Sequence, residues 1–295
     1  MELRLPDSTM DVTHPGRIMG VINVTTDSFS DGGLFREASA AVSHACRLIA
    51  EGADIIDIGA ESTRPGSDPV PAAEQIRRAV PVIERLRAVD ASIPISIDTQ
   101  CAQVAAAALD AGVSIINDIS ALRADPALPA LAAERGAAVI LMHMKGSPRT
   151  MQEDPRYADV VGEVRDFLEQ RVAAAESAGI ASDRIVVDPG LGFGKTTRHN
   201  FALVRRIDVL HALGRPILIG PSRKRFIGDA LGIDVPAERL YGTAAVVAYA
   251  IGRGVQIVRV HDVRAIRHVI EIYRAIHQGA ADGGGDDPVS AEVDS

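Results

Sequence analysis

The sequence predicts a single-domain α/β fold, a (β/α)8 TIM barrel whose site lies at the C-terminal ends of the strands. Two observations carry that prediction. Eight short β-branched runs alternate with longer Ala/Leu/Glu/Arg-rich segments along the chain, and each run ends in polar residues. The runs are residues 18–24, 54–58, 93–97, 113–117, 137–142, 185–188, 216–219 and 255–260. Each is too short for a helix and apolar on both faces, as a strand buried in a parallel sheet must be. Segments 37–52, 159–179 and 198–214 carry a helical pattern. In the first, Ala38, Ala41, Val42, Ala45, Leu48 and Ile49 recur at helical spacing, and Gly52 suits the C-terminal cap. Eight such units in 295 residues form a closed barrel more naturally than an open sheet. A doubly wound open sheet is the alternative, but no GxGxxG follows the first strand.

Residues 17–278 are read as the barrel, 1–16 as an N-terminal extension, and 279–295, Gly/Asp/Ser-rich without periodicity, as a disordered tail. Three connections exceed a plain βα turn: 24–36, 60–72 and 143–157. All follow strand C-termini, where long loops serve as lids or binding loops.

A net charge of −8 argues against a nucleic-acid partner. A local cationic pocket can still hold an anionic substrate. Cys46 and Cys101 lie far apart without a CxxC, which fits reduced thiols in a cytoplasmic protein. The polar N-terminus lacks a signal-peptide pattern, and no apolar run reaches membrane-span length, so a cytoplasmic protein with no membrane partner is expected. The histidines show no HxH or HxxxH spacing that would suggest zinc.

The strand ends deliver, in order, Asn23; Asp57 with Thr63 and Arg64 beyond it; Asp98; Asn117; Met142 and His143; Asp188; Ser222 with Lys224; and Arg259 with His261. Any one of these is an ordinary cap or turn residue. Together they must share one barrel mouth, where unpaired charges are costly without a ligand or partners. They sort into two chemistries. Arg64, Lys224, Arg259 and His261 are cationic or can become so, and Asn23 offers a hard amide oxygen. That group suits a diphosphate with Mg2+, which keeps most of its waters and takes few protein ligands. Residues 222–224 also open a helix, whose N-terminus favours anions. Asp98, Asn117 and Asp188 match a flat heterocycle with guanidine-like N–H donors. Acid–base work by the carboxylate pair is the competing reading. The glycines of 190–194 suit either a phosphate or closure over a flat ring. Phe29 stands on a Ser/Asp/Gly loop with little core to join, which points to substrate contact. For Met142, core packing and substrate contact are both open.

The motifs behind these residues are GVINVTTDSFSDGG (20–33), DIGAESTRPG (57–66), SIDT (96–99), ND (117–118), LMHM (141–144), DPGLGFGK (188–195), SRKR (222–225) and RVHDV (259–263). In this order, from about Arg17 to His277, the chain resembles the dihydropteroate synthases, folate-pathway transferases inhibited by sulfonamides. It departs mildly at Thr26, where that family usually has Pro, and at Ala60, where Gly is usual. The resemblance implies that Asn23 binds Mg2+ and the diphosphate. It implies that Thr63, Asp98, Asn117, Asp188 and Lys224 hold a dihydropterin, with Met142 and Phe193 counted among the substrate-binding residues. Arg64, Arg259 and His261 take the diphosphate, and Phe29, Pro65 and Ser222 line a 4-aminobenzoate site. The implied reaction joins (7,8-dihydropterin-6-yl)methyl diphosphate to 4-aminobenzoate in a homodimeric enzyme, with Asn23, Arg64, Lys224, Arg259 and His261 as its catalytic set. A methyltetrahydrofolate-dependent methyltransferase barrel would explain Asp98, Asn117 and Asp188 but would leave the cations without a purpose. A non-catalytic pterin-binding paralogue would not need the cations either.

Overall fold

The computed structural model describes residues 1–24, 31–61 and 69–281, the side chains of 31–37 and 278–281 excepted. A short antiparallel hairpin, β1 (Glu2–Arg4) and β2 (Thr9–Asp11), comes first. The eight barrel strands follow: β3 (Arg17–Asn23), β4 (Ile55–Gly59), β5 (Ile95–Asp98), β6 (Ile115–Asp118), β7 (Ala138–Met142), β8 (Ile185–Asp188), β9 (Leu218–Ile219) and β10 (Ile257–Val260). All pair in parallel, in the order β8-β7-β6-β5-β4-β3-β10-β9. A parallel bridge between Val187 and Ile217, with the Val187 N–H donating to the Pro216 carbonyl at 3.0 Å, closes the sheet on itself. Each predicted run therefore holds a strand. The shortest, β9, is trimmed because Pro216 has no N–H and the Ile217 N–H also donates to Gln256 Oε1 at 2.8 Å.

Between the strands run α1 (Asp31–Ala50), α2 (Ala72–Val89), α3 (Ala102–Asp110), α4 (Leu128–Glu134), α5 (Val160–Ser177), α6 (Thr197–Arg205), α7 (Arg225–Leu231), α8 (Leu240–Ile251) and α9 (Val263–Ala281). The helix predicted over 37–52 starts earlier, at Asp31. Gly52 follows it at φ 100°, a conformation only glycine takes cheaply. The pattern over 198–214 resolves into two pieces. Helix α6 is started by a Thr196 capping box with His199, and a 3-10 turn spans Ile207–Leu213. Helix α9 runs past the predicted domain edge to Ala281, and the rest of the predicted tail, 282–295, lies outside the described residues. Among the described residues no helix is long and apolar enough to cross a membrane.

Strand alternation sorts the interior into two layers. Ile18, Ile22, Ile56, Ile58, Ile97, Ile116, Val139, Leu141, Val187 and Val258 face the helices and form the larger core. Met19, Ile55, Ile115, Ala138, Ile140, Val186, Leu218 and Ile257 face inward and fill the barrel. Leu3, Leu5 and Val12, each at most 3% exposed, join that inner cluster, so the first sixteen residues close one end of the barrel. At that same end Asp54 accepts the Ile18 N–H at 2.8 Å and pairs with Arg17 and Arg267. The inward parity of each strand then continues toward its other end as polar residues. Two steps beyond Ile55 stands Asp57, beyond Ile115 Asn117, beyond Val186 Asp188, and beyond Ile257 Arg259.

Candidate active site

Strand register assembles the mouth. Asn23 on β3 is level with Gly59 on β4, Gly59 with Asp98 on β5, and Asp98 with Asn117 on β6. Met142 on β7 is level with Asp188 on β8. Glycine at 59 leaves open the space between Asn23 and Asp98, since a Cβ there would lie 3.6 Å from Asn23 Oδ1 and 3.7 Å from Asp98 Cβ. Asn23 itself is exposed at the strand end.

Arg259 organises one side. Its Nε donates to Asp57 Oδ2 at 2.6 Å and its Nη2 to Asp98 Oδ2 at 3.0 Å. Asp57 Oδ2 also accepts from Asn117 Nδ2 at 3.3 Å. Burial pushes the Asp98 carboxyl up to about 7, opposed by Arg259 and reinforced by the negative charge of Asp57. Asp188 is also raised by burial, against the pull of Lys224, while its Oδ1 accepts the Gly190 N–H at 2.7 Å. Lys224 is lowered to about 8, chiefly by burial. Its ammonium sits 4.3 Å from the Phe193 ring centroid and donates to the Leu191 carbonyl. Phe193 packs in turn on a small cluster of Met142, Met144, Met151 and Ile119, so Met142 serves as core and as mouth lining at once.

Lys224 does stand where a helix opens, as the residue before α7. Between it and Ser222, Arg223 is left-handed at φ 61°, strain that persists only when neighbours enforce it. Those neighbours are Asp262, paired with the guanidinium at 2.6 Å, and Arg239, whose Nη1 donates to the Arg223 carbonyl at 2.9 Å. Ser222 is buried and bound to His261, Oγ to Nδ1 at 3.0 Å.

The structure thus brings Asn23, Asp98, Asn117, Met142, Asp188, Phe193, Ser222, Lys224, Arg259 and His261 to one end of the barrel. Phe29, Thr63, Arg64 and Pro65 lie outside the described residues. Two elements of the neighbourhood escaped the sequence reading as functional candidates. Asp57 was legible as a strand end, and its parity with Ile55 was the signal. Lys195 was not, because a lysine is ordinarily solvated. Here it is 3% exposed, with Nζ 2.9 Å from His143 Nδ1, 3.0 Å from the Gly190 carbonyl and 2.9 Å from that of Phe193. Burial and the adjacent ammonium hold His143 down at about 2, so it is neutral and accepts that bond. Lys195 therefore clamps the loop after β8 onto the loop after β7. A cavity of 380 Å³ in the latter loop is lined by Lys145, Thr150, Met151, Asp154 and Arg156, and by none of the strand-end polar residues.

A closed parallel barrel with carboxylates, an amide and cations converging at its mouth is suited to a small polar ligand that carries negative charge. The family model described as pterin binding enzyme matches residues 19–261. The dihydropteroate synthase of Synechocystis sp. is 45% identical over 259 residues, 88% of this chain and 89% of the relative. The Xanthomonas albilineans dihydropteroate synthase with 4-aminobenzoic acid superposes with a TM-score of 0.86 at 45% identity, covering 94% of this chain and 98% of the other. The same organism's enzyme in complex with 7,8-dihydropteroate gives a TM-score of 0.83 at 42% identity, over 94% and 99%. The chain belongs to the dihydropteroate synthase family.

Proposed function

We propose that this chain condenses (7,8-dihydropterin-6-yl)methyl diphosphate with 4-aminobenzoate, giving 7,8-dihydropteroate and diphosphate. The observation that carries the reading is the division of the mouth into an acceptor floor, Asp98, Asn117 and Asp188, and a cationic side, Lys224, Arg259 and His261. The floor faces N–H donors of the pterin, and the cations receive the charge that develops on the leaving group. The methylene C–O bond breaks with its electron pair leaving on diphosphate. The neutral arylamine then donates its lone pair to the pterin-conjugated methylene, the C–N bond forms, and the amine proton is released to water. No strong base is required, because an arylamine is already unprotonated at neutral pH. Arg259, held by Asp57 and Asp98, and Lys224, held at the Phe193 ring and the Leu191 carbonyl, are in place before reaction.

A magnesium ion suits the donor set. Asn23 supplies one hard oxygen in the space that Gly59 leaves open, and the remaining ligands would be diphosphate oxygens and water. When bound, it would neutralise charge on the leaving diphosphate. Asn23 would hold it, while Arg259 and His261 would hold the diphosphate itself. Formation of 7,8-dihydropteroate together with diphosphate, dependent on 4-aminobenzoate and Mg2+, tests the assignment, and diphosphate release with no dihydropteroate formed in the presence of the arylamine would contradict it.

A homodimer is part of this reading. Helices α6, α7 and α8 pack on one another and expose Phe201, Leu231, Tyr241 and Tyr249, with Tyr241 86% exposed. That much apolar surface favours a partner of the same kind. Sedimentation of the wild type at twice the monomer mass, and of Tyr241→Glu nearer the monomer mass, is expected. A monomeric wild type would remove the dimer from the reading.

A further inference from the structure

Asp57 is a fully buried carboxylate whose hydrogen bonds reach one member of the proposed floor, Asn117, and one of its cationic side, Arg259. It lies on β4 one inward step below Gly59, at 0% exposure, so a ligand in the mouth does not touch it. Anything it contributes must pass through its neighbours.

We propose that Asp57 is a positioning residue for this site, fixing the orientation of the Asn117 carboxamide and of the Arg259 guanidinium that a heterocycle meets. The inference rests on the pterin reading above. Asp57 Oδ2 already accepts from Arg259 Nε and offers Asn117 only an acceptor, so the bond at 3.3 Å obliges Asn117 to turn its NH2 group down toward Asp57. Its Oδ1 is then the group it can offer a ligand, which is what an N–H donor needs. The reversed amide would set two buried oxygens against each other. Arg259 is constrained likewise. Its Nε is held by Asp57 at 2.6 Å and its Nη2 by Asp98 at 3.0 Å, which fixes the guanidinium plane and leaves Nη1 as the donor not committed to either carboxylate.

A second observation separates this role from simple stabilisation. Asp57 Oδ1 is buried without a hydrogen-bond partner, and so is the hydroxyl of Ser96, level with it on β5. A carboxylate retained for stability would be expected to use both oxygens, because an unsatisfied buried acceptor is destabilising. Two carboxylates also share one guanidinium, and the negative charge of Asp57 adds to the rise that burial causes at Asp98. The arrangement therefore sacrifices stability at the point where it fixes ligand-facing geometry, the pattern expected of a functional site.

The test is calorimetric titration of 6-hydroxymethylpterin, a phosphate-free probe, into wild type, Asp57→Asn, Asp57→Leu, Asn117→Ala and the Asp57→Leu/Asn117→Ala double variant, with urea unfolding of each. Asp57→Asn can set its carbonyl where Oδ2 stands and still accept from Asn117 Nδ2 and Arg259 Nε, so it should bind the probe with near wild-type affinity. Asp57→Leu is similar in size but removes the acceptor, and at least a tenfold loss of pterin affinity is expected. Adding Asp57→Leu to Asn117→Ala should cost less than Asp57→Leu costs alone, since the part carried by Asn117 is already gone and only the Arg259 part remains. Asp57→Ala repeats the measurement if the leucine variant does not accumulate. Wild-type affinity in the variants that remove the acceptor, losses that simply add, or failure of both to fold would each overturn the proposal. A wild type that does not bind the pterin at all would instead overturn the pterin reading.

Discussion

At the scale of single residues, the mouth is made of groups whose charges are held where water would not leave them. Asp188 is buried, with cations on one side and a backbone N–H on the other. Asp188→Asn would present donors where the proposed pterin has donors. A charge-assisted bond is worth roughly 1.5–3 kcal/mol net, so about a tenfold or greater loss of affinity for a pterin analogue is expected in calorimetry. Unchanged affinity would remove Asp188 from the floor. Asp98 makes a second, pH-dependent prediction. Its folded carboxyl holds a proton up to about 7, whereas the unfolded one releases it near the ordinary 3.8. Between those values the folded state binds more protons than the unfolded state, so this group's contribution to stability falls as pH rises. Urea midpoints at pH 5 and 7.5 should therefore show the wild type losing ground to Asp98→Asn across the window, and a constant difference would contradict the shift. Most of these residues were legible in the sequence because strand ends in a barrel converge. What was not legible was who holds whom. Ser222, expected to line a substrate site, has its hydroxyl on His261, and Arg259, expected on the diphosphate, already spans two carboxylates. Partners separated by 202 residues, as Arg259 and Asp57 are, leave no local pattern to read.

At the scale of elements, all eight strands and three helical segments followed from apolar periodicity, because a strand buried on both faces admits little besides Ile, Val, Leu and Ala. The N-terminal hairpin did not. Its two strands have three residues each, too few for alternation to register, and its role depends on where Leu3, Leu5 and Val12 land rather than on any pattern among them. Leu3 is 1% exposed inside the barrel end. Leu3→Ala should lower stability by about 2–5 kcal/mol, read as a lower urea midpoint, while leaving the KM values for both proposed substrates unchanged. The reason is geometric, for the hairpin closes the end of the barrel opposite the mouth. A rise in KM without loss of stability would show that the hairpin acts on the site. The split of segment 198–214 into α6 and a 3-10 turn was equally hidden, since both pieces bury their apolar residues at similar spacing. Arg206, at φ −116° and ψ 33°, is where they part.

At the scale of the whole molecule, the barrel is a ring with one thin join. Strands β8 and β9 meet through the bridge at Val187 and Ile217, and the chain between them passes through an exposed turn at Gly214. The ring can therefore be thought of as a clasp. A peptide bond cut at Gly214 would leave fragments 1–214 and 215–295, the smaller carrying β9 and β10 and rejoining the larger along the β10–β3 ladder, where Ile257 is level with Arg17. The cut also divides the site. The proposed heterocycle floor, Asp98, Asn117 and Asp188, stays on the large fragment with Asn23, and Lys224, Arg259 and His261 go with the small one. A substrate with a pterin at one end and a diphosphate at the other would then tether both fragments at once. Co-expressed fragments should associate weakly alone and more tightly as pterin diphosphate is added, with pterin or diphosphate given separately having less effect, as fluorescence anisotropy of a labelled small fragment would report. Equal association with and without the substrate would mean that the ladder alone holds the clasp. If the tether works, the enzyme's own substrate is a bivalent crosslinker for a split form of the protein, and ligand-gated reassembly is already written into the order of its strands.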